Sequence, residues 1–243
     1  MDGLLRCTRY AFGPNRLHYC GPDANREVLA YIEAGVSDPG LSALLQKFQT
    51  LYPYLCLIAR ANNIRDPFDD QVVEAYWLGN RLLENVNRYQ FYRHLEDDLQ
   101  LKKKVTPAQL DDITAPLAKN AVPHHSYHVF SVWKRTGHND VPHTIESLDA
   151  CRISWGTVTA VAGPKISVLR RPILTIGNQL TLGEPQPITV WRSLDCREDI
   201  DDVRLGQIIT MHWGVPCEVI TLEQKKNLKK YTLQHLVNIV GQM

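Results

Sequence analysis

The stretch that decides the fold is Cys151-Arg-Ile-Ser-Trp-Gly156, where a helical first half gives way to a β-rich segment. Near the other end of that segment, Met211-His-Trp-Gly214 repeats the combination of a chemically active side chain, an aromatic residue and a glycine. The first stretch carries a thiol and the second an imidazole. If the segment between them closes into one compact β-fold, we expect Cys151 and His212 to lie together at its rim.

The segment between these two stretches has the pattern of short strands. Apolar residues alternate through 157–193, and Gly163-Pro164 and Gly183-Glu-Pro185 interrupt them as turns. Strands at this spacing predict a small OB-like antiparallel β-barrel. Residues 218–240 then predict a C-terminal helix, because leucines recur along one face.

Upstream, residues 23–120 have helical periodicity. Asp38-Pro39, Asp66-Pro67 and Thr106-Pro107 each combine a capping side chain with a proline suited to the first turn of a helix. The period shortens at Tyr127-His-Val-Phe-Ser-Val-Trp133, which predicts a strand. The expected fold class is therefore α+β. We predict a mainly helical domain over 1–148, and a β-barrel with a C-terminal helix over 149–243.

Composition excludes several classes of function. The chain has 243 residues, 27 of them Lys or Arg and 26 Asp or Glu, so no basic excess favours nucleic acid. No apolar run reaches the length of a membrane span, and the first residues lack a signal-peptide core. The six cysteines include no C-x-x-C pair, which argues against a structural zinc site of the usual kind. Because we expect a cytosolic chain, we also expect no disulfides. We expect a cytoplasmic protein without a membrane or nucleic-acid partner.

From Cys151 to about Leu236 the chain resembles the HypC/HupF family of nickel–iron hydrogenase maturation chaperones. The resemblance rests on Cys151-Arg-Ile-Ser-Trp-Gly156 at the start and on Val203-Arg-Leu-Gly-Gln-Ile-Ile-Thr-Met-His-Trp-Gly214 near the end. An acidic stretch and a helix follow, in the order that the family shows.

That resemblance implies an assembly chaperone rather than an enzyme. Its partners would be a HypD-like maturation protein and the precursor of the hydrogenase large subunit. Its cargo would be a transient Fe(CN)2CO group, with Cys151 as the iron-binding thiolate and His212 as its companion. A ligand cysteine must be deprotonated, and the neighbouring Arg152 would favour the thiolate.

A second candidate site is the histidine cluster at His124, His125 and His128, with His138 and His143 beyond it. In a strand, His124 and His128 would face one side and His125 the other. Imidazoles with an open coordination position would bind a catalytic metal. The alternative is a set of hydrogen-bonded histidines in a linker between domains.

A third candidate is formed by Cys7, His18 and Cys20, where a turn could bring the three together and nearby arginines could lower the pKa of a thiol. The alternative is a packed N-terminal loop. With either cluster, the protein would be a metal-binding protein or metal-dependent enzyme that uses the barrel as a scaffold.

Trp155 and Trp213 stand beside the two proposed iron donors. Tryptophan is common at interaction hot spots, so both are candidates for partner binding. The alternative is simple packing within the barrel.

Overall fold

The structure is a computed structural model that describes residues 1–132, 144–177, 179–192 and 202–237. It is a mixed α+β fold in which helices dominate the first half and strands the second. The α-helices are α1 (Gly3–Asn15), α2 (Asn25–Ala34), α3 (Pro39–Leu45), α4 (Leu51–Ala61), α5 (Asp70–Trp77), α6 (Arg88–Arg93), α7 (Pro107–Thr114), α8 (His125–Tyr127), α9 (Ile145–Cys151) and α10 (Leu222–Leu236). The strands are β1 (Ser154–Ala162), β2 (Lys165–Arg170), β3 (Ile173–Ile176), β4 (Gln179–Leu182), β5 (Gln186–Trp191), β6 (Ile208–His212) and β7 (Val215–Ile220).

The strands form two antiparallel sheets. Five of them pair in the order β5-β2-β1-β6-β7, and β3 pairs with β4 in a separate hairpin. Within the described residues β5 and β7 are open edges, so the predicted OB-like barrel is wrong. Within the described residues β3 and β4 pair only with each other, so neither strand joins the five-stranded sheet. The predicted C-terminal helix is present as α10, although residues 218–220 belong to β7.

Two of the predicted helix starts are confirmed by their caps. Asp38 accepts a hydrogen bond from the backbone N–H of Leu41 (2.8 Å), and Pro39 opens α3. Thr106 forms a reciprocal capping box with Gln109 at the start of α7. These short polar side chains satisfy backbone donors that the first turn leaves without partners.

The start predicted at Asp66-Pro67 is displaced. Asp66 instead closes a turn by accepting from the N–H of Phe68 (2.9 Å), and α5 begins at Asp70 with Asp69 as its cap. Both aspartates are able to accept backbone N–H groups. The competition between a turn and a helix cap therefore decides where the helix begins.

The predicted strand at 127–133 is wrong, because residues 125–132 are helical. The three-residue α8 continues into a π-helical turn over His128–Val132. Tyr127, Val129, Phe130 and Val132 are buried, and so are the polar residues Ser126 and Ser131. Polarity therefore does not mark an exposed face from which the period could be read. Trp133, His138, His143 and Cys196 lie outside the described residues.

The largest buried cluster joins the two halves of the chain. Most of its members come from the helices before residue 120, but it also includes Ile153, Ile220, Leu228 and Tyr231. A second cluster fills the face of the large sheet, and a third packs β3 and β4 against α9 and α10. The division into domains 1–148 and 149–243 stays a prediction. One continuous hydrophobic core extends across that boundary.

A buried ion-pair network fastens α1 to α5 and β7. The Arg6 guanidinium contacts Glu218 (3.1 Å), Asp70 (2.8 Å) and Glu74 (3.3 Å), and the Tyr10 hydroxyl donates to Glu218 (2.7 Å). Arg6 and Glu218 are almost fully buried, where removal of one partner would leave an unpaired charge. The network therefore fixes the position of α1 against the strand that follows His212.

Among the described residues, no helix has the length and apolarity needed to cross a lipid bilayer. Within the same residues, five cysteines form no disulfide with one another: Cys7, Cys20, Cys56, Cys151 and Cys217. The cytoplasmic location predicted from the sequence remains a prediction.

Candidate metal centre

Three segments that are distant in the sequence meet at one point. His125 opens α8, Cys151 ends α9 and His212 ends β6. One ring nitrogen of each histidine and the sulfur of Cys151 all lie within 4.8 Å of one another. In the described part of the chain this is the one group of three or more potential ligands. It unites a member of the predicted histidine cluster with the two residues proposed at the rim of the β-fold.

His212 has the geometry of a metal-ligating imidazole. Its Nδ1–H donates to the backbone oxygen of Tyr10 (2.6 Å), so in the neutral ring Nε2 carries a lone pair. Within the described residues that Nε2 is buried and makes no hydrogen bond. Burial lowers the pKa of His212 to about 4, while the carbonyl oxygens of Tyr10 and Cys151 act in the opposite direction. The ring is therefore neutral at pH 7, with a lone pair available to a ligand.

His125 is held by two hydrogen bonds. Its Nε2–H donates to the backbone oxygen of Cys151 (2.9 Å), and its Nδ1 accepts from the Tyr76 hydroxyl (3.2 Å). Its pKa lies well below the ordinary value, chiefly because of burial and then because of His212. To ligate an ion, this ring would have to give up one of these hydrogen bonds.

Cys151 is half-buried at the carboxyl end of α9. The backbone N–H of Trp213 donates to the oxygen of the preceding Ala150 (2.8 Å), which fixes α9 against the end of β6. The carboxyl end of a helix disfavours negative charge, so this position does not stabilise a thiolate.

Arg152 does not serve the thiol as the sequence suggested. Its guanidinium is buried and donates to Asp149 (2.9 Å) and to the backbone oxygen of Arg171 (2.6 Å). Asp149 also accepts from the N–H of Ile173, so Arg152 and Asp149 together fasten α9 to β3. The positive charge of Arg152 is balanced by the carboxylate of Asp149.

Aromatic residues from α5 form one wall of the site. The Trp77 ring lies 4.6 Å from the His125 ring and 5.6 Å from the His212 ring, centroid to centroid, and the two imidazoles are 5.1 Å apart. Tyr76 and Trp77 both belong to the buried face of α5. No signal in the sequence distinguished them from ordinary core residues, since their role depends on what packs against them.

The other two histidines of the predicted cluster do not join the site. His124 caps α8, with its Nδ1 accepting from the N–H of Ser126 (3.1 Å). His128 is half-buried in the π-helical turn, with its ring edge-on to Tyr54. The expected arrangement on two strand faces is wrong because the segment is helical.

The structure does not bring Cys7, His18 and Cys20 together as a group of ligands. Cys7 is fully buried inside α1, and burial raises the pKa of its thiol to about 12. His18 lies in the turn after α1 and contacts Asp23 (3.1 Å). Cys20 is half-buried in the same loop, and its backbone oxygen accepts from Asn15 (3.0 Å).

Trp155 and Trp213 are both half-buried. The Arg152 guanidinium lies 5.7 Å from the Trp155 ring centroid, and Tyr19 packs on Trp213 with centroids 4.7 Å apart. Trp213 also adopts a left-handed backbone conformation, with φ 51°, in the tight turn between β6 and β7. A partner-binding role for either tryptophan stays a prediction.

Two imidazoles and one thiolate suit a borderline or soft transition metal. Zinc binds such donors at about 2.0–2.3 Å in a tetrahedron, which places neighbouring ligand atoms about 3.3–3.8 Å apart. The three donor atoms, all within 4.8 Å, need only a small contraction to reach that spacing. Three protein ligands also leave one position of a tetrahedron open.

The resemblance to the HypC/HupF family is wrong, because the family comparison finds no match to it and assigns residues 1–242 elsewhere. Its physical basis also fails: Cys151 ends a helix, and the strands that follow form an open sheet among the described residues. No curated protein and no solved structure matches the chain. The model that does match, over residues 1–242, is that of a family of unknown function, and the chain belongs to this family, DUF6390.

Proposed function

We propose that this protein binds a single transition-metal ion through Cys151, His125 and His212. The observation that carries the proposal is the Nε2 of His212. This atom is buried and is unprotonated because Nδ1 donates to Tyr10, and one ring nitrogen of His212 lies within 4.8 Å of the Cys151 sulfur. A buried nitrogen that makes no hydrogen bond is costly unless a ligand occupies it. A backbone carbonyl behind the far nitrogen is also the usual support of a ligating histidine.

A thiol nucleophile paired with a histidine base is the competing chemistry, and the electrostatics disfavour it. Cys151 stands at the negative end of α9, both imidazoles are held neutral by burial, and Arg152 is paired with Asp149. The carboxyl end of a helix disfavours a thiolate, and a bound cation would stabilise one.

Metal binding would rearrange His125. If Nε2 ligates the ion, its proton moves to Nδ1, which then donates to the Tyr76 oxygen. The backbone oxygen of Cys151 loses the hydrogen bond that it accepts in the metal-free structure. The site therefore exchanges one internal hydrogen bond for a metal–nitrogen bond.

Hydrogenase maturation, the Fe(CN)2CO cargo and the HypD-like partner were implied only by the resemblance that the family comparison overturns. No contact at the site supplies independent support for them. The proposal is accordingly limited to a metal-binding protein with a mixed nitrogen and sulfur site.

The test is elemental analysis and metal titration of the full chain, purified without chelator, with His212→Asn and His124→Asn as a matched pair. Both histidines are buried and neutral, but asparagine can replace the capping role of His124. We expect a stoichiometric metal in the wild type and in His124→Asn, and its loss in His212→Asn and in Cys151→Ser.

Circular dichroism of each variant would establish that it is folded. Retention of stoichiometric metal by folded His212→Asn and Cys151→Ser would overturn the proposal, as would a wild type that binds no Zn²⁺ or Co²⁺ on titration. Rapid alkylation of Cys151 that depends on His212, without metal binding, would favour the thiol nucleophile instead.

A further inference from the structure

The backbone oxygen of Tyr10 has an unusual hydrogen-bond donor. In an α-helix such an oxygen accepts from the backbone N–H four residues later along the chain. In α1 that residue is Pro14, which lies inside the helix and has no N–H group. Tyr10 is fully buried, so its oxygen needs another donor within the protein, and Nδ1–H of His212 provides it at 2.6 Å.

Pro14 also favours a carbonyl group that is tilted away from the helix axis. A proline ring inside a helix clashes with the carbonyl group four residues earlier, and a local bend of the helix relieves this contact. This end of α1 lies close to His212, since a Cβ on Gly13 would overlap the His212 backbone oxygen. The oxygen that lacks a helical donor is therefore next to the imidazole that uses it.

The side chain of Tyr10 holds this carbonyl group in place. Its hydroxyl donates to Glu218 on β7 (2.7 Å) and contacts the Thr210 hydroxyl on β6 (2.9 Å). Its ring stacks on Trp77, with centroids 5.2 Å apart and planes inclined by 15°, and Trp77 also packs on His212. Tyr10 is thus fixed to both strands of the hairpin that carries His212, which restrains its carbonyl group beside Nδ1.

We propose that Pro14 is a positioning residue for His212. Because it offers no N–H group to the Tyr10 oxygen, it reserves that oxygen for Nδ1–H of His212 and so keeps the lone pair of the ring on Nε2. An N–H at position 14 would compete with the imidazole for the same oxygen and weaken the preference for this tautomer. The consequence for metal binding rests on the proposed function, whereas the consequence for the tautomer of His212 holds without metal.

The test is Pro14→Ala in the full chain, which restores the N–H group, and alanine favours a helix more than proline does. Nitrogen NMR of isotope-labelled histidine shows which ring nitrogen is protonated in the metal-free protein, and the His212 signals are those absent from His212→Asn. We expect Nδ1–H at His212 in the wild type and a substantial fraction of Nε2–H in Pro14→Ala. Titration with Co²⁺ should give an affinity about tenfold weaker in Pro14→Ala.

Pro53→Ala is the matched control. Pro53 lies in the first turn of α4, where backbone N–H groups have no acceptor within the helix, so an added N–H group takes no carbonyl oxygen from another donor. This variant should match the wild type in the tautomer of His212 and in Co²⁺ affinity. A purely structural role for Pro14 predicts the opposite pattern, in which urea unfolding of Pro14→Ala changes and the tautomer does not.

The wild-type tautomer and Co²⁺ affinity in folded Pro14→Ala would overturn this inference, because the Tyr10 oxygen would then accept from both donors at once. A wild type with its proton on Nε2 of His212 would contradict it directly. A wild type that binds no Co²⁺ would instead overturn the proposed function, while the tautomer of Pro14→Ala would still decide whether Pro14 acts on His212. The two failures are therefore distinguishable.

Discussion

His124 and His212 are both buried and neutral, yet they hold their protons on opposite sides of the ring. His124 accepts the Ser126 N–H at Nδ1, so its proton resides on Nε2. His212 donates from Nδ1 to the Tyr10 oxygen, so its Nε2 has the lone pair. Neither Nε2 makes a hydrogen bond within the described residues. The backbone partner of the far nitrogen therefore leaves His212 ready to bind a metal, whereas His124 and His125 would each first have to move a proton.

The surroundings of His124 are structural. His235 accepts the Val122 N–H at Nε2 (3.3 Å) and donates from Nδ1 to the Ser126 hydroxyl (2.7 Å), which in turn contacts His124 (2.7 Å). All three side chains are buried, and the network attaches α10 to the start of α8. Substitutions should therefore affect the stability of this network and the metal content of the proposed site separately.

The buried histidines are neutral in the folded protein, so acid should lower the free energy of unfolding once metal has been removed. Burial lowers the pKa of His124 to about 3 and that of His212 to about 4, and it also lowers the pKa of His94, His125 and His235. The stabilisation is complete above the unfolded pKa of about 6.5 and is lost as pH falls toward the folded values. Each group should cost up to about 2 kcal/mol at pH 5.

Urea denaturation between pH 7.5 and 4.5, after removal of metal, measures this loss. His124→Asn should reduce the pH dependence by the equivalent of one proton. A free energy of unfolding that does not change across this range would mean that the rings are protonated in the folded state, and the tautomer comparison would be wrong.

Removal of His235 should damage the structural network and spare the metal. His235→Ala removes the acceptor of the half-buried Val122 N–H and one partner of the buried Ser126 hydroxyl, and it leaves a cavity beside α8; together these should cost about 2–4 kcal/mol of unfolding free energy. Urea titration gives the stability, and elemental analysis gives the metal content. Folded His235→Ala without metal would show that the two groups are one functional unit.

The helix caps and the candidate metal site differ in how far the sequence could predict them. The caps Asp38 and Thr106 act within three residues, so local pattern was sufficient for α3 and α7. The sequence also predicted a proximity of Cys151 and His212, and the structure has their donor atoms within 4.8 Å of each other. It could not predict which histidine joins them, because the tautomers of His124 and His125 are set by the distant partners Tyr76 and Cys151 and by Ser126.

The strand predicted at 127–133 is wrong for a related reason. The helical segment 125–132 packs against α7, α9 and α10, and its polar residues Ser126 and Ser131 are buried together with its apolar ones. Polarity therefore does not mark an exposed face, and the 3.6-residue repeat of a half-exposed helix is missing. The sequence could not predict the open sheet either, because a hairpin outside the sheet has the same local pattern of residues as one that closes a barrel.

Gly13 offers a way to disturb His212 without changing a ligand. In Gly13→Ala, the new Cβ would overlap the His212 backbone oxygen, so α1 must shift away from β6. We expect a loss of about 1–3 kcal/mol in stability together with weaker metal binding. Gly35→Asn is the control, because its left-handed conformation tolerates asparagine and nothing lies within 4 Å. Normal metal affinity in Gly13→Ala would show that His212 does not depend on this contact.

The smallest stability effect is expected at Trp213. Trp213→Asn places a residue suited to the left-handed turn before Gly214, but removes the packing on Tyr19. The two changes oppose each other, so the net change in unfolding free energy should be below about 1 kcal/mol. Metal affinity should fall more clearly, because Trp213 directly follows His212 and its contact with Tyr19 holds the turn between β6 and β7. Unchanged affinity in this variant would indicate that this contact does not position His212.

The three proposed ligands come from segments far apart along the chain, and His125 and Cys151 alone are separated by 26 positions. An ion held between them would act as a reversible cross-link and would restrict the unfolded chain as a disulfide does. Protein newly made in metal-poor conditions should then be more easily digested by proteases than the loaded form. The abundance of the protein in a cell would accordingly follow the supply of its metal.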